Sequence, residues 1–439
     1  MASKKLKLAL IQMRVKGGDE WREAYIPVAK EFSTAIFGVS NVGDITDGPW
    51  KGRSCIGCSL ASDSLGEEIL QGSYGVDAEC ILYVDVEPAP RPARGTGWKK
   101  WLAMLFMTAQ PFFGDALARE QTITNPIAPN GADPWLVKEN GIYHYCYSRG
   151  GSIWINTDKT LQGAAQFEGR KIWTPSPGKP WSKELWAPEL HFLKGKWYIY
   201  VATDNGDNAN HRMYVLESKT DDPMGDYVFR GKISDASDKW AIDGTVLKQA
   251  GKLYFIWSGW EGDVNVQQNL YIAPMSDPKT ISGPRVQISQ PEHDWERIGE
   301  PFINEGPQIL KNNGQTFVIY SASGSWTDHY CLGQLRLTGN DPLDPKSWIK
   351  SRTPVFGSTG TVFSPGHASF TKSPDGKEDW IIYHTAKHRG AGWNRDVNLK
   401  KFTWGTDGNP AFGYPESKGV PIPAPSSRYV VPPSGGSAD

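Results

Sequence analysis

The segment AIDGTVL (241–247) follows a pattern that the chain repeats at regular intervals. A polar residue in a small, Gly- or Pro-rich context comes first, followed by an apolar stretch, a Gly-containing turn and an aromatic-rich strand. The other openings are GADPWLV (131–137), WAPELHF (186–192), NEGPQIL (304–310) and SPGHASF (364–370). Their polar residues stand 54 to 62 residues apart. A period of that length, filled with short strands, predicts a propeller with one four-stranded sheet per repeat.

Aromatic and β-branched runs predict the next two strands of each repeat. Second strands are expected at 141–148, 196–203, 252–259, 315–322 and 379–386, and third strands at 152–158, 211–218, 269–275, 331–337 and 397–404. These runs are rich in the residue types that suit a pleated, packed surface. Helical periodicity is absent over this region. The predicted fold class is therefore all-β, a five-bladed β-propeller over residues 119–425.

The polar residues that open the repeats are expected to meet at the propeller axis, because each stands on the same inner strand of its blade. They are Asp133, Glu189, Asp243, Glu305 and His367. Hydrolysis of a glycoside needs one carboxylic acid to protonate the leaving oxygen and one carboxylate to activate water or to attack. The axis is therefore the predicted active site.

Composition narrows the classes of partner. The net charge of −1 provides no basic surface for nucleic acid, and the chain contains 19 Trp, 17 Tyr and 16 Phe. Most of these rings are expected in the core. The excess nevertheless favours a sugar-binding protein, since flat aromatic rings stack on the apolar faces of sugar rings.

The propeller resembles glycoside hydrolase family 43 over about 300 residues, on the motifs ADPW, AIDGTVL and NEGPQIL in that order. The resemblance implies that Asp133 is the general base, that Asp243 sets the pKa and orientation of the acid, and that Glu305 is the general acid. A nearby negative charge and desolvation would keep Glu305 protonated near neutral pH. For each residue the alternative is a carboxylate that only caps a strand.

The same resemblance implies further pocket residues. Glu189 in WAPE would line the pocket, Arg395 would hydrogen-bond the terminal sugar, and His367 would hold a calcium or sodium ion directly or through water. No cofactor is required for the chemistry. Trp135 and Trp186 are candidates for the pocket wall and could equally be core residues.

The resemblance is greatest to the exo-acting α-L-arabinofuranosidases of the family, and implies an inverting enzyme that releases terminal α-L-arabinofuranosyl residues from arabinan or arabinoxylan. A β-D-xylosidase, an endo-arabinanase and a catalytically silent carbohydrate-binding propeller remain alternatives. The expected partner is a plant cell-wall polysaccharide or arabino-oligosaccharide. Nucleic acid and membrane are not expected as partners, and we expect a monomer.

The residues before the propeller have a different character. Residues 5–15 and 57–95 resemble fragments of the nitrilase family, without its catalytic Glu, Lys and Cys in a matching motif, so residues 1–96 are predicted to be a non-functional, α/β-like remnant. Residues 97–118 resemble a secretory signal, with a linker helix as the alternative. Secretion is the expectation, and residues 426–439 are predicted to be a flexible tail.

Overall fold

The structure is a computed structural model, and it describes residues 122–166 and 169–427 together with the backbone of five short strands between residues 36 and 71. Its contacts divide the chain into two units, Met1–Ala116 and Leu117–Asp439. The strands of the first unit are β1 (Ile36–Gly38), β2 (Gly43–Asp44), β3 (Ser54–Cys55), β4 (Leu60–Ser62) and β5 (Glu68–Gln71). β1, β4 and β5 form one sheet, and β2 pairs with β3. The rest of the predicted remnant, the whole signal-like segment and residues 428–439 of the predicted tail lie outside the described residues.

The second unit begins with two short strands and the first two blades. The short strands are β6 (Thr122–Thr124) and β7 (Ala128–Pro129). Blade 1 contains β8 (Trp135–Glu139), β9 (Ile142–Arg149), β10 (Ser152–Asp158) and β11 (Arg170–Trp173). Blade 2 contains β12 (Lys183–Leu193), β13 (Lys196–Asp204), β14 (Arg212–Ser218) and β15 (Tyr227–Lys232).

Three further blades follow. Blade 3 contains β16 (Ala241–Gln249), β17 (Lys252–Gly259), β18 (Gln267–Asp277), β19 (Thr280–Ile281) and β20 (Val286–Ser289). Blade 4 contains β21 (Phe302–Asn312), β22 (Gln315–Ala322), β23 (Cys331–Leu337) and β24 (Trp348–Lys350). Blade 5 contains β25 (Phe363–Lys372), β26 (Asp379–Ala386), β27 (Arg395–Trp404) and β28 (Pro410–Ala411), and β29 (Pro421–Pro423) follows it.

The predicted all-β fold of five blades is confirmed, and the second strands lie within about a residue of their predicted positions. The run at 196–203, for example, is observed as Lys196–Asp204. Helices are few in the described part of the chain. They are α1 (Leu161–Ala164) and 3-10 turns at Asn208–Asn210, Asp294–Glu296 and Pro345–Ser347.

The two ends of the propeller close the ring on blade 5. β7 pairs antiparallel with β27, and β6 pairs antiparallel with β29. Because β7 directly precedes blade 1, this pairing joins the first blade to the last. A closed ring leaves the five inner strands around one axis.

Apolar cores fill the spaces between neighbouring blades. One such core joins blade 5 to blade 1 and contains Tyr143, Tyr145, Trp380 and Ile382, each with no more than 1% of its surface exposed. Similar cores lie between blades 1 and 2, 2 and 3, 3 and 4, and 4 and 5. Burial of a large apolar side chain stabilises a fold by about 1.5–3 kcal/mol, so these layers fix each blade against its neighbours. Cys146 in blade 1 and Cys331 in blade 4 are buried free thiols, and these two blades are not neighbours in the ring.

Candidate active site

A residue with a left-handed backbone lies within or just before the inner strand of every blade. These residues are Asp133 (φ 47°), Ala187 (41°), Asp243 (55°), Gly306 (56°) and His367 (45°), and β12 and β25 each contain a second one, Glu184 (42°) and Ser364 (56°). In blades 2 to 5 the strand pairing shifts register at this point, which is the mark of a β-bulge. Non-Gly residues adopt this backbone region at a cost of about 1–3 kcal/mol, and such strain is concentrated at functional sites. The bulges turn Asp243 and His367 out of the regular pleat, and Asp133 has the same left-handed backbone just before β8 begins.

Asp133 is surrounded by nitrogen atoms on one side of its carboxylate. Nδ1 of His367, Nδ1 of His384 and Nη1 of Arg395 approach its Oδ1 at 3.4, 3.2 and 3.5 Å. Burial opposes ionisation, but the positive charges of His367 and Arg395 hold the pKa of Asp133 well below its usual range. The side chain keeps 26% of its surface exposed. Asp133 is therefore an ionised carboxylate that has access to water.

His367 lies between the carboxylates of the axis. Its backbone N–H donates to Oγ of Ser321 at 2.8 Å, which fixes the strand at this point. Burial alone would lower the pKa of His367, but the negative charges of Asp133, Asp243 and Glu305 raise it above its ordinary value. The ring therefore tends to carry a positive charge that partly neutralises the carboxylates.

His384, in the second strand of blade 5, also belongs to the site. The backbone N–H of Asp133 donates to Nδ1 of His384 at 3.1 Å, so this nitrogen carries no proton. Burial, with the charge of Arg395, lowers the pKa of His384 to about 3. Its other ring nitrogen, Nε2, is buried without a hydrogen-bond partner. His384 is thus a neutral ring that orients the backbone of Asp133.

Glu305 is buried beside a phenol. The hydroxyl of Tyr330 donates to Oε1 of Glu305 at 2.8 Å. Burial raises the pKa of Glu305 above its ordinary value, against the opposing effect of this hydrogen bond. The ring of Tyr330 stacks on His384, with centroids 5.6 Å apart and planes 14° from parallel. Tyr330 and His384 together connect Glu305 with Asp133.

Asp243 interacts with the strand that carries Glu305. Its Oδ2 accepts a hydrogen bond from the backbone N–H of Gly306 at 3.0 Å. Burial, together with the negative charges of Glu305 and Asp133, raises the pKa of Asp243 to about 7, although His367 opposes the shift. Two buried carboxyls that repel each other lose their protons in separate steps. The pair therefore keeps one proton near neutral pH.

Gly306 and Gly366 leave room for this arrangement. A Cβ atom at Gly306 would lie 3.2 Å from Nδ1 of His367, and one at Gly366 would lie 2.2 Å from Cε1 of Tyr330. Gly306 also has a φ of 56°, a conformation that side chains other than glycine rarely adopt. Both glycines therefore serve close approaches around the catalytic candidates.

Glu189 occupies a different strand position from the other polar residues. Ala187 is the left-handed residue directly before the proline of the WAPE motif, and Glu189 stands two residues further along the strand. Its side chain is buried, with Oε2 at 2.9 Å from Nε2 of His191 and Oε1 accepting from Nε2 of Gln308. Its charge is still close enough to contribute to the raised pKa of His367. The sequence predicts that all five polar residues meet at one spot. In the structure Asp133, Asp243, Glu305 and His367 form the cluster. Glu189 lies beside it, in contact with His191 and Gln308.

Arg395 reaches the centre from the start of β27. Besides approaching Asp133, its Nη2 donates to the carbonyl oxygen of Ser325 at 2.8 Å. Its Nε is buried without a hydrogen-bond partner. Arg395 thus brings a positive charge beside Asp133, and its hydrogen bond to the terminal sugar stays a prediction.

The two predicted wall tryptophans pack between blades. Trp135 donates its indole N–H to the carbonyl oxygen of Leu190 at 2.7 Å and lies 4.6 Å from the ring of His191. Trp186 stacks on His211 at 3.9 Å. Both indoles are partly buried, and these contacts account for their positions. Their contribution to the pocket wall stays a prediction.

The predicted ion near His367 finds few ligands in the protein itself. Calcium prefers six to eight oxygen ligands. Within residues 122–166 and 169–427, a group of three ligand-type side chains forms at Glu292, His293 and Glu296 and not around His367. Even there, Nζ of Lys350 already contacts Oε1 of Glu296 at 3.0 Å. An ion at His367 would take most of its ligands from water, and it stays a prediction.

Sequence reasoning missed His384, Tyr330 and Ser325. A polar residue in the middle of the apolar run DWIIYHTA was a signal for His384. Tyr330 precedes the third strand of blade 4, where the sequence carries no comparable mark. Ser325 acts through its backbone carbonyl, which no residue pattern reveals.

The propeller is similar to known proteins over most of its length. The profile of Glycosyl hydrolases family 43 matches residues 123–410, which include Asp133, Asp243 and Glu305. An extracellular exo-α-(1→5)-L-arabinofuranosidase of Streptomyces avermitilis is 36% identical over 349 residues, covering 75% of this chain and 71% of the relative. α-L-Arabinofuranosidase 43 of Humicola insolens is 36% identical over 313 residues, covering 67% of this chain and 64% of the relative.

A solved structure is similar to this chain as well. The crystal structure of an α-L-arabinofuranosidase from Lactobacillus brevis is similar with a TM-score of 0.62 and 37% identity, covering 68% of this chain and 98% of that chain. The ordered carboxylates on the inner strands, the five blades and the matched profile lead to one assignment. The chain belongs to glycosyl hydrolase family 43 and is a glycosidase.

Proposed function

We propose that the protein is an inverting exo-α-L-arabinofuranosidase that releases terminal α-L-arabinofuranosyl residues from arabinan or arabinoxylan. One observation carries the proposal: the axis holds an ionised carboxylate, Asp133, and a buried carboxyl pair, Asp243 and Glu305, whose raised pKa values keep one proton. These are the charge states that acid and base catalysis of glycoside hydrolysis requires.

Asp133 acts as the general base. Within the described residues, the three nitrogen contacts of its carboxylate go to Oδ1. Oδ2 therefore accepts a proton from a water molecule, whose oxygen attacks the anomeric carbon. The positive charges that lower the pKa of Asp133 also hold the carboxylate in place and keep it ionised.

Glu305 acts as the general acid. It donates its proton to the glycosidic oxygen as the bond from that oxygen to the anomeric carbon breaks. Asp243 holds the backbone at Gly306 and repels a negative charge on Glu305, which favours the protonated acid. Arg395 binds the terminal sugar beside Asp133.

The substrate class is inferred from the relatives. Those of Streptomyces avermitilis and Humicola insolens carry the name α-L-arabinofuranosidase, and the first is named as exo-acting on α-(1→5) linkages. A β-D-xylosidase and an endo-arabinanase have the same catalytic trio and remain the competing assignments. A catalytically silent carbohydrate-binding propeller would not need Asp133, Asp243 and Glu305 together.

We also infer secretion. Two relatives of this chain, one from Streptomyces avermitilis and one from Streptomyces chartreusis, are named as extracellular enzymes. Within the described residues, none of the helices has the length and apolar character needed to cross a membrane. A plant cell-wall polysaccharide or arabino-oligosaccharide is the partner that this location and activity imply, and a monomer is our proposal for the assembly.

A panel of substrates tests the proposal. The enzyme is incubated with 4-nitrophenyl α-L-arabinofuranoside, 4-nitrophenyl β-D-xylopyranoside, and branched and debranched arabinan. We expect release of 4-nitrophenol from the arabinofuranoside and of free arabinose from arabinan. Preferred cleavage of the xyloside would favour a xylosidase, and release of oligosaccharides from debranched arabinan would favour endo action. No hydrolysis of any of the four, with arabinan binding retained, would leave the silent propeller.

A further inference from the structure

Two tryptophans on neighbouring loops form an exposed aromatic surface. Trp326 lies in the loop 323–330 between β22 and β23, and Trp393 lies in the loop 387–394 between β26 and β27. Their ring centroids are 6.2 Å apart and their planes meet at 78°. Trp393 keeps 67% of its surface exposed. Contiguous exposed apolar surface marks ligand-binding grooves and interaction sites, whereas single exposed apolar residues are common on any protein.

This tryptophan pair (Trp326 and Trp393) lies at the catalytic end of blades 4 and 5. Glu305 pairs with Ser321 across β21 and β22, and the loop that carries Trp326 begins two residues after Ser321. Ala386 pairs with Arg395 across β26 and β27, and the loop that carries Trp393 spans the residues between them. Both loops therefore leave the blades at the end where the acid and Arg395 are placed.

Hydrogen bonds tie the pair to the catalytic base. The indole N–H of Trp393 donates to Oγ of Ser325 at 3.1 Å. The carbonyl oxygen of Ser325 accepts from Arg395, whose Nη1 lies 3.5 Å from Oδ1 of Asp133. The exposed ring of Trp393 is thus held at a fixed position relative to the base, which a surface residue without a binding role does not need.

A second hydrogen bond joins the two loops directly. The backbone N–H of Gly390 donates to Oδ1 of Asp328 at 2.7 Å. The loop 323–330 is also braced from behind, since the backbone N–H of Gly324 donates to the carbonyl oxygen of Ile298 at 2.7 Å. The two rings therefore keep their mutual geometry without a bound ligand, which lowers the entropy cost of binding.

We propose that the tryptophan pair binds the sugar ring on the leaving-group side of the scissile bond, that is, the penultimate arabinofuranose of an arabinan chain. The apolar face of that ring would stack on Trp393, while Trp326 meets its edge. The leaving-group side is favoured because the acid, Glu305, and the loop of Trp326 belong to the same blade. The inference rests on the proposed function and adds a subsite to it.

The test compares two substrates that differ in the leaving group alone. α-(1→5)-L-Arabinotriose presents a sugar ring to the tryptophan pair, whereas methyl α-L-arabinofuranoside presents a methyl group. We expect Trp393→Ala to lower kcat/KM for arabinotriose about tenfold more than for the methyl glycoside, mainly through KM. Trp393→Phe, which keeps a ring but loses the hydrogen bond to Ser325, should retain most of the native preference for arabinotriose.

Tyr414→Ala provides the matched control. Tyr414 is an aromatic residue with 78% of its surface exposed, and its carbonyl oxygen accepts from Lys400, far along β27 from Arg395. This variant should hydrolyse both substrates at the native rates. An equal loss on both substrates in Trp393→Ala would overturn the subsite, because it would mean that the ring merely supports Arg395.

Equilibrium binding separates the subsite from the function. In a Glu305→Gln background, titration calorimetry with arabinotriose should show about tenfold weaker binding when Trp393→Ala is added, with binding of free arabinose unchanged. Unchanged arabinotriose binding would overturn the subsite while leaving the proposed function intact. If the native enzyme hydrolyses neither arabinofuranoside, the proposed function fails, and the calorimetry then decides alone whether the tryptophan pair binds an arabinose chain.

Discussion

Oδ2 of Asp243 accepts a hydrogen bond at 3.0 Å from the backbone N–H of Gly306, the residue that follows Glu305 in the chain. This contact joins blade 3 to the strand of the acid in blade 4. The charge of Glu305 contributes to the raised pKa of Asp243, and because such an interaction is mutual, Asp243 must raise the pKa of Glu305 as well. Asp243 thus fixes the position of the strand that carries Glu305 and also raises the pKa of Glu305.

Asp243→Asn should shift the alkaline limb of the activity profile to lower pH. Activity requires a protonated Glu305, so the limb reports the loss of its proton. The amide removes a nearby negative charge, so the pKa of Glu305 falls. The measurement is kcat against pH for native and variant enzyme. An alkaline limb that stays in place, or moves to higher pH, would contradict the role of Asp243.

Tyr330→Phe should shift the same limb in the opposite direction. The phenol donates to Oε1 of Glu305 at 2.8 Å and lowers the pKa of that carboxyl. Its removal leaves the carboxylate less stabilised, so Glu305 keeps its proton to higher pH. Tyr143→Phe is the matched control, since its buried hydroxyl donates to the carbonyl oxygen of Lys372. The control should not move the limb, and a shared shift in both variants would count against the assignment.

Glu305→Gln should separate substrates by their leaving groups. Natural arabino-oligosaccharides need a proton on the departing oxygen, so their hydrolysis should fall about 10²–10⁴-fold. An aryl arabinofuranoside with a 2,4-dinitrophenolate leaving group needs little proton assistance and should lose far less. Glu292→Gln, with a side chain 49% exposed, serves as the surface control. Equal losses on both substrates would remove Glu305 from the acid role.

The strands of the propeller could be predicted from the sequence because their signals are local. Alternating aromatic and β-branched residues mark β9, β13, β17, β22 and β26 wherever these strands pack. The ordered motifs around Asp133, Asp243 and Glu305 are local too, since each begins an inner strand. The bulges that place them could not be predicted, because they depend on strand register.

The partners of the carboxylates could not be predicted for the same physical reason. Tyr330 reaches Glu305 and His384 reaches Asp133 across separations of 25 and 251 residues. Such contacts arise when the ring closes and no sequence period encodes them. Glu189 illustrates the same limit of a local motif, because its strand position differs by two residues from the left-handed position that Asp133, Asp243 and His367 occupy.

Asp133→Asn should destabilise the protein at neutral pH. The pKa of Asp133 is lowered in the folded state, so its ionised form stabilises the fold above its unfolded pKa, and this contribution is lost as the pH falls through the folded pKa. The variant leaves Arg395 and His367 without a carboxylate, which costs about 1.5–3 kcal/mol. Thermal melts should show a lower Tm for the variant at pH 7. The difference in Tm between the native protein and the variant should begin to narrow below about pH 4.

Asp238→Asn is the control for that melt. Asp238 forms ion pairs with Arg212 and Lys232 on the surface, where its side chain is 43% exposed. Exposed pairs contribute less than about 1 kcal/mol, so this variant should melt close to the native protein. A Tm for Asp133→Asn as high as the control's would contradict the charge cluster around Asp133.

The stereochemistry of the product tests the role of Asp133 itself. His367 and Arg395 hold Oδ1 of Asp133 from one side, where His384 also packs, so Oδ2 is the atom that takes the proton from water. A carboxylate that activates water, and does not itself attack, inverts the anomeric carbon. The first product from an α-L-arabinofuranoside should therefore be β-L-arabinofuranose, visible by proton NMR before mutarotation. An initial α-product, or transfer to methanol with retained configuration, would require a covalent intermediate and exclude Asp133 as a base.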